Sequence, residues 1–302
     1  MKKLFIILCF SFLLGSEISS VGAAFRYGSS AKGISLSGAT VSIYNSGFNA
    51  FSNPAFISQS KKHEFGLSYF SMSLDRSIQS ISYSRSISQE AGIGLSFLRT
   101  AVTNIKQTDI DNNIIGNLDY WEALAAMSFG FKTDELSVGG SLKIYQNHLH
   151  NYVANGIGLD LGINYSVNDK INVAFCSKNI GAEYKWDFDD EEKIPLITSF
   201  GVSYRDKHTF LNDFIFTMQL DYNNSEYEKY RLGLEINPYK MVKFRFGIKE
   251  SNDSGIANLF YLGLGYKIKS VLDGSAYVDY ALDPGLMGEG VTHLFSFTFL
   301  SD

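Results

Sequence analysis

The feature that most constrains this chain is a period-two alternation of apolar and polar residues that recurs along most of its length. In the stretch TFLNDFIFTMQLDYN, residues 209–223, Phe216 and Met218 fall on one side of an extended chain, and Thr217 and Gln219 fall on the other. Successive side chains of a β-strand point to opposite faces, so the pattern predicts a strand with one apolar and one polar face. The pattern alone leaves open whether the apolar face meets a protein core or lipid.

Fourteen segments of the sequence follow this rule and are predicted as strands. They are 63–74, 77–86, 90–101, 119–132, 135–147, 153–166, 170–179, 195–205, 209–222, 227–237, 241–250, 256–268, 271–282 and 291–300. Strands of soluble proteins are usually about 5–6 residues long, whereas strands that cross a membrane need about 9–11 residues. Every predicted strand reaches the membrane length, which favours a membrane barrel.

The connections between the predicted strands alternate in length. Long polar connections follow the third, seventh and thirteenth strands, at 103–118, 180–194 and 283–290, and the connections after even-numbered strands are short. Outer-membrane barrels have short periplasmic turns and longer external loops. The alternation therefore predicts an all-β fold, a transmembrane antiparallel β-barrel of about 14 strands with external loops after the odd-numbered strands. A soluble sandwich with a solvated polar face is the alternative.

The first residues have the features of a secretory signal peptide. Lys2 and Lys3 precede an apolar run from Leu4 to Leu14, and small residues follow at Gly22 and Ala23. The apolar run is too short to span a bilayer, which takes roughly 20 residues. The sequence is predicted to contain three parts: a signal peptide (1–23), an N-terminal plug segment (24–62) and an outer-membrane β-barrel (63–302).

The plug prediction rests on a segment that does not alternate. Between Phe25 and Lys62 the chain is rich in small residues but also contains apolar residues, which argues against disorder and favours a segment folded into the lumen of the barrel. Asn53 is predicted to be extended or in a turn, because a residue before proline avoids the helical region.

Charged residues occupy the polar face of the predicted strands and would line a polar lumen, with glycines where a plug crowds the interior. The predicted lumen-facing residues are Asp160, Arg231, Glu235, Lys243, Arg245 and Asp279. The net charge is −5, and Lys and Arg are scattered singly. Nothing in this distribution indicates nucleic-acid binding.

No pattern of residues predicts a catalytic, metal or cofactor site, and no enzymatic activity is expected. His293 and Ser296 lie three residues apart in a predicted strand, so they fall on opposite faces and cannot act together. His148 and His150 share a face, but no third ligand lies near them in the sequence.

The order and spacing of several short pieces resemble a known family. Gly38-Ala39, followed after a spacer by Asn53-Pro54-Ala55, resembles the N-terminal signature of the PorV/PorQ family, whose members are relatives of the FadL fatty-acid transporters. The other matching pieces are Leu74 to Ser77, the turn Lys178 to Gly181, Val278 to Leu282 and Thr292 to Phe299. The resemblance covers essentially the whole mature chain.

This resemblance implies a FadL-like barrel, integral to the outer membrane of a Gram-negative-type bacterium, with the five residues of the N-terminal signature in the plug. PorV/PorQ relatives serve type IX protein secretion, so the expected partners are outer-membrane lipids and secretion-system components or cargo proteins. FadL relatives pass hydrophobic molecules through the barrel. A passive channel for long-chain fatty acids or other hydrophobic small molecules is therefore the alternative function, although the external loops look short for a FadL transporter.

Overall fold

The computed structural model of the chain describes residues 21–187, 191–208, 212–223, 228–251, 259–271, 274–285 and 290–301. The predicted signal peptide lies outside the described residues except for 21–23. The strands are β1 His63–Ser71, β2 Arg76–Ser86, β3 Ala91–Thr108, β4 Ile114–Lys132, β5 Leu136–Leu149, β6 Tyr152–Ser166, β7 Ile171–Trp186, β8 Glu191–Lys193, β9 Ile197–His208, β10 Asn212–Asn223, β11 Glu228–Tyr239, β12 Val242–Ser251, β13 Leu259–Val271, β14 Gly274–Asp283 and β15 Thr292–Ser301.

These strands form one antiparallel sheet that closes on itself. Consecutive strands pair with each other, except that β9 pairs with β7 and not with β8, and β1 pairs with β15. The short β8 pairs with the last part of β7 and is an extra, fifteenth strand. The prediction of an all-β, antiparallel barrel of fourteen strands is confirmed. Among the described residues, no helix is long and apolar enough to cross a bilayer.

The apolar side chains of the strands lie on the outside of the barrel. On β10, Phe216 and Met218 are 37% and 51% exposed, whereas Thr217 between them is fully buried. The same alternation occurs around the wall, from Phe65 and Leu67 on β1 to other exposed large apolar side chains on most strands. A continuous apolar outer surface of this kind requires lipid, which rules out the soluble sandwich.

The two ends of the barrel differ in their connections. We call the end that carries the β1–β2, β3–β4, β5–β6, β7–β8, β10–β11, β12–β13 and β14–β15 connections the loop end, and the opposite end the turn end. The prediction of a long loop at 103–118 was wrong, because β3 and β4 continue through it as a projecting hairpin, with Ile105 opposite Leu118. Much of 180–194 likewise belongs to β7 and β8. The hairpin looks like a loop in sequence because both of its faces meet water.

The predicted turn at Lys178 to Gly181 is a bulged part of β7. Asn179 and Gly181 have φ angles of 63° and 65°, and the register of β7 against β6 shifts twice beside them. Asparagine and glycine are the residues that tolerate this left-handed backbone best. The strand therefore continues to Trp186, beyond its predicted end.

Residues 21–62, which we call the N-terminal segment, contain only short helices. They are α1 Ala31–Ser35, α2 Asn49–Ser52 and 3₁₀ helices at Ala23–Arg26 and Pro54–Gln59. The α1 helix contacts β12 to β15, whereas the second 3₁₀ helix contacts β2 to β6. Because these strands lie on opposite sides of the closed sheet, the N-terminal segment spans the lumen between them.

Candidate functional site in the barrel lumen

A row of glycines receives the second 3₁₀ helix of the N-terminal segment. Gly92, Gly130, Gly139 and Gly162 are successive cross-strand partners on β3 to β6, and we call them the glycine row. A Cβ atom added to Gly139 would collide with the carbonyl group of Pro54. Glycine in a strand interior commonly marks such a close approach of another backbone. The wall of the turn-end half is therefore shaped to fit the N-terminal segment.

Asn53 joins three parts of this packing. Its side-chain amide donates hydrogen bonds to the carbonyl oxygens of Val41, at 2.9 Å, and of Ile163 on β6, at 3.3 Å. Its side-chain oxygen accepts a hydrogen bond from the N–H of Ala55, and Pro54 opens the 3₁₀ helix. Asn53 and Ala55 are fully buried. Three of the predicted motif residues are thus placed together against the glycine row.

Gly38 and Ala39 lie on the opposite wall, next to Arg231. The Arg231 guanidinium donates to the carbonyl oxygen of Ser37 and forms an ion pair with Asp221, each at 2.5 Å. Gly38 has a φ angle of 83°, and a Cβ atom there would lie 2.5 Å from the guanidinium. Ala39 accepts a hydrogen bond from a wall threonine. Glycine at 38 thus meets both a backbone and a spatial requirement.

Four of the predicted lumen-facing residues form one buried ion-pair network beside α1. Arg245 bonds Glu235 at 2.6 Å and Asp279 at 2.7 Å, and Lys243 lies 3.4 Å from Glu235. The carboxylates and the guanidinium are almost completely buried. Such a network is tolerated only when every charge in it is paired, and removing one member leaves an uncompensated charge. Residue Gly265 leaves the space through which the guanidinium reaches β14.

Asp160, the sixth predicted lumen-facing residue, belongs to a different cluster. It pairs with Lys143 at 2.5 Å and accepts a hydrogen bond from the N–H of Asn179 at 2.9 Å. The Asn179 side chain accepts from Tyr145 and donates to the carbonyl oxygen of Pro195. This cluster therefore ties the bulge of β7 to β5 and β6.

Sequence reasoning missed a buried carboxylate at the turn end. Glu64 on β1 accepts hydrogen bonds from the Tyr44 hydroxyl and from the backbone N–H groups of Gly47 and Lys61, the latter at 2.8 Å. The alternation in the sequence could have identified Glu64 as lumen-facing, because it shares the inward face of β1 with Gly66. It anchors the N-terminal segment where that segment enters the wall.

The loop-end half of the lumen contains a cavity with one apolar side. The cavity has a volume of about 150 Å³, and its lining includes Phe25, Ile34, Phe51, Leu98 and Leu124. The last two are inward-facing residues of β3 and β4 and belong to a larger buried apolar cluster. The other members from the wall include Phe70, Ile78, Tyr145, Tyr184, Tyr261 and Leu294.

A second cavity of about 130 Å³ adjoins the first. Both are lined by Arg26, Tyr27, Ile34, Gly38, Lys229 and Arg231. The second reaches the loop-end termini of β14 and β15, where the Tyr27 hydroxyl donates a hydrogen bond to Asp283. We call the two cavities together the basic chambers, for the charged residues that they share.

The tip of the β3–β4 hairpin carries two acidic residues, Asp109 and Asp111. The Asp109 carboxylate accepts hydrogen bonds from the backbone N–H groups of Asp111 and Asn113 and from the Asn113 side chain. The Asn113 hydrogen bonds lower the pKa of Asp109.

Across the described parts of the chain, no group of three or more His, Cys, Asp and Glu side chains could hold a metal ion.

Solved structures with the same fold include a transporter and a channel, although sequence comparisons identify no relative. No protein-family model and no curated protein matches the chain. The Pseudomonas putida toluene transporter TodX is 11% identical, with a TM-score of 0.64 over 90% of this chain and 96% of its own. The monoaromatic hydrocarbon channel CymD is 12% identical, with the same TM-score and coverages. A FadL homologue of Pseudomonas aeruginosa is 11% identical, with a TM-score of 0.62 over 91% of this chain and 98% of its own.

Identities this low establish the fold alone. The chain has the fourteen-stranded barrel fold of FadL-type outer-membrane channels, which supports the FadL side of the resemblance. These three neighbours do not distinguish a PorV/PorQ relative from other proteins with the fold.

Proposed function

We propose that this protein is a passive outer-membrane channel for hydrophobic small molecules. The observation that carries the proposal is the apolar side of the loop-end lumen, where Leu98 and Leu124 face inward beside a cavity. A barrel that conducts water-soluble solutes has a polar interior instead. The names of TodX and CymD, a toluene transporter and a monoaromatic hydrocarbon channel, support the same class of solute.

The size of the cavity favours a small solute over a long-chain fatty acid. A cavity of about 150 Å³ lined by aliphatic and aromatic side chains holds one benzene molecule. The first of the basic chambers has this volume. We therefore infer a solute of one ring or of similar size, which enters from the loop end, the external side of the barrel.

The route out of the chamber is proposed to pass through the wall, because the N-terminal segment fills the turn-end half. The strand hydrogen bonding is interrupted beside the chamber, where β8 ends at Lys193 and β9 begins at Ile197. Pro195 between them has no N–H group to donate. Asn179 on the bulge of β7 and Ile197 both line the chamber, so the interruption borders it directly.

The test is uptake of toluene into vesicles that contain the purified full chain. Replacing Leu98 or Leu124 with Asn removes apolar contact from the chamber and is expected to slow uptake roughly tenfold, the change that about 1.4 kcal/mol of lost solute binding produces. Leu149→Asn, at the exposed end of β5, is the matched control and leaves uptake unchanged. Uptake no faster than in protein-free vesicles would overturn the proposal.

A second candidate is an accessory scaffold of PorV/PorQ type for type IX secretion or surface attachment of cargo. The observation that favours it is the filled turn-end half, because a scaffold needs no open passage. Affinity purification from native membranes separates the two functions. Recovery of secretion components or surface proteins together with absent toluene uptake supports the scaffold, and toluene uptake without such proteins supports the channel.

A further inference from the structure

The basic chambers carry an excess of positive charge, although the chain as a whole has a net charge of −5. The basic residues that line the first chamber are Arg26, Lys143, Lys178, Lys229 and Arg231, and among the described residues Asp221 is its one carboxylate. Those that line the second are Arg26, Arg76, Lys229, Arg231 and Lys249, and its one described carboxylate is Asp283. A cleft with one sign of charge and low-dielectric walls concentrates ions of the opposite sign.

Four of these basic groups have partners of two kinds. Lys143 and Arg231 each form an ion pair with a carboxylate, Asp160 and Asp221. Lys178 instead donates to the backbone carbonyl oxygen of Phe51, at 2.6 Å, and the Lys249 ammonium lies 5.8 Å from the centroid of the Tyr261 ring.

Within the described parts of the chain, neither Lys178 nor Lys249 forms an ion pair with a carboxylate. A partly buried charge without an opposite charge is costly, and an anion placed beside it removes part of that cost. The two lysines therefore mark where a bound anion would be stabilised.

Apolar side chains line the first chamber together with these charges. Leu98 and Leu124 are cross-strand partners on β3 and β4 and line the same cavity as Lys178 on β7, so a ligand that fills it contacts both carbon and an ammonium group. We propose that the basic chambers bind a small amphipathic anion, a single apolar ring or short chain that carries a carboxylate. This inference rests on the proposed channel function and names its solute class.

The volumes limit the size of this anion. One chamber accommodates a ring of the size of benzene, and the adjoining chamber of about 130 Å³ adds room for its charged group beside Arg231 and Lys249. A long acyl chain does not fit in this space. The ligand is thus distinguished from a neutral hydrocarbon by its charge and from a long-chain fatty acid by its length.

Calorimetric titration of the purified full chain in detergent tests the inference with four probes of known composition. Benzoate is the expected ligand, benzamide is its neutral isostere, toluene is the neutral hydrocarbon, and inorganic phosphate is an anion without an apolar part. Benzoate is expected to bind at least roughly tenfold more tightly than benzamide, because a charge-assisted hydrogen bond is about twice as strong as a neutral one.

Substitutions of single lysines then show which positive charge binds the carboxylate of benzoate. Lys178→Gln is expected to weaken benzoate binding roughly tenfold and to leave toluene binding unchanged, whereas Lys178→Arg keeps the charge and restores most of the affinity. Lys249→Gln is expected to act in the same direction. Lys267→Gln is the control, because Lys267 lies over the Tyr277 ring and does not line the chambers.

Each other outcome overturns the inference in a recognisable way. If toluene binds and benzoate does not, the solute is a neutral hydrocarbon and the channel function survives. If phosphate binds as tightly as benzoate, the apolar side takes no part in recognition. If benzoate binding is equally weak in Lys178→Gln and Lys267→Gln, the chambers are not its site. If no probe binds and toluene uptake is also absent, the channel function fails together with the inference.

Discussion

In the turn-end half of the lumen, glycines of the wall touch the backbone of the N-terminal segment, whereas in the loop-end half large apolar and basic side chains of the wall border two cavities. The charges differ in the same way. The charges of the network around Arg245 are paired and buried, whereas Lys178 in the loop-end half donates to the carbonyl group of Phe51 and forms no ion pair among the described residues.

We interpret the turn-end half as a seal and the loop-end half as the proposed binding site. A seal requires close packing and satisfied polar groups, because an unfilled gap or an unpaired charge would admit water. A binding chamber requires the opposite, namely empty volume and polar groups that a ligand can satisfy. The same period-two wall provides both, since inward positions of β3 to β6 hold the glycine row in the turn-end half, whereas Leu98 and Leu124 occupy inward positions beside the first chamber.

The largest loss of stability is expected when a buried ion pair of the turn-end half is disrupted. Glu235→Gln removes one carboxylate from Arg245 and is expected to lower the free energy of unfolding by about 3–5 kcal/mol, as for other broken buried ion pairs. Urea titration of the protein in lipid vesicles measures it. Glu135→Gln, at an exposed turn position, is the control with little expected effect. A cost for Glu235→Gln below about 1 kcal/mol would contradict the assignment of this network to the seal.

Gly139 and its neighbour Gly140 test whether the N-terminal segment packs against the glycine row. Gly139→Val places a side chain against Pro54 and is expected to cost about 1–3 kcal/mol through overpacking and to raise the ion conductance of the barrel. Gly140→Val adds the same atoms on the lipid side, where the nearest atoms to a Cβ lie 3.5 Å away. Conductance in planar bilayers and urea titration check both variants. Equal behaviour of the two would show that the glycine row does not hold the segment.

The barrel was predictable from the sequence because its main signal is local. Side chains alternate between the two faces of a strand, so residues such as Phe216 and Met218 mark the apolar face, and strand length and connection lengths then assign that face to lipid. The inward position of Glu235 and Arg245 follows from the same rule. Their pairing also requires the strand register, in which they are direct cross-strand partners of β11 and β12.

The remaining features depend on contacts between distant parts of the chain. Asp279 meets Arg245 across an intervening strand only because Gly265 leaves space, and no local pattern records this. The bulge at Asn179 interrupts the alternation instead of following it, which is why the predicted strand ended at residue 179. The chambers form between the wall and the N-terminal segment, and their lining combines residues from both.

The bulge of β7 provides a test of stability in the loop-end half. Asn179→Gly removes the hydrogen bonds to Tyr145 and Pro195 and is expected to cost about 1–3 kcal/mol, whereas its positive φ angle is kept without strain. Asn179→Ala is expected to cost about 1–2 kcal/mol more, because alanine is disfavoured in the left-handed region. Urea titration gives both values. If the alanine variant is as stable as the glycine variant, the bulge relaxes and does not depend on this backbone conformation.

The smallest effect is expected at the tip of the β3–β4 hairpin, which lies beyond both halves of the lumen. The pKa of Asp109 is lowered in the folded protein, mainly by hydrogen bonds from Asn113, so its contribution to the turn is present above the ordinary carboxyl pKa. It is lost as the pH falls below about 4 and through the lower folded value.

Hydrogen exchange of the hairpin amides at pH 6 and pH 3, corrected for intrinsic rates, measures this loss. In the wild-type protein, the protection factors of the tip amides should fall about twofold from pH 6 to pH 3. In Asp109→Ala, these protection factors should be at the lower level at both pH values. Toluene uptake and overall unfolding are expected to be unchanged in this variant, because the carboxylate bonds only within its own turn. A change in uptake would instead make the hairpin part of the entrance to the chambers and extend the loop-end half beyond the barrel.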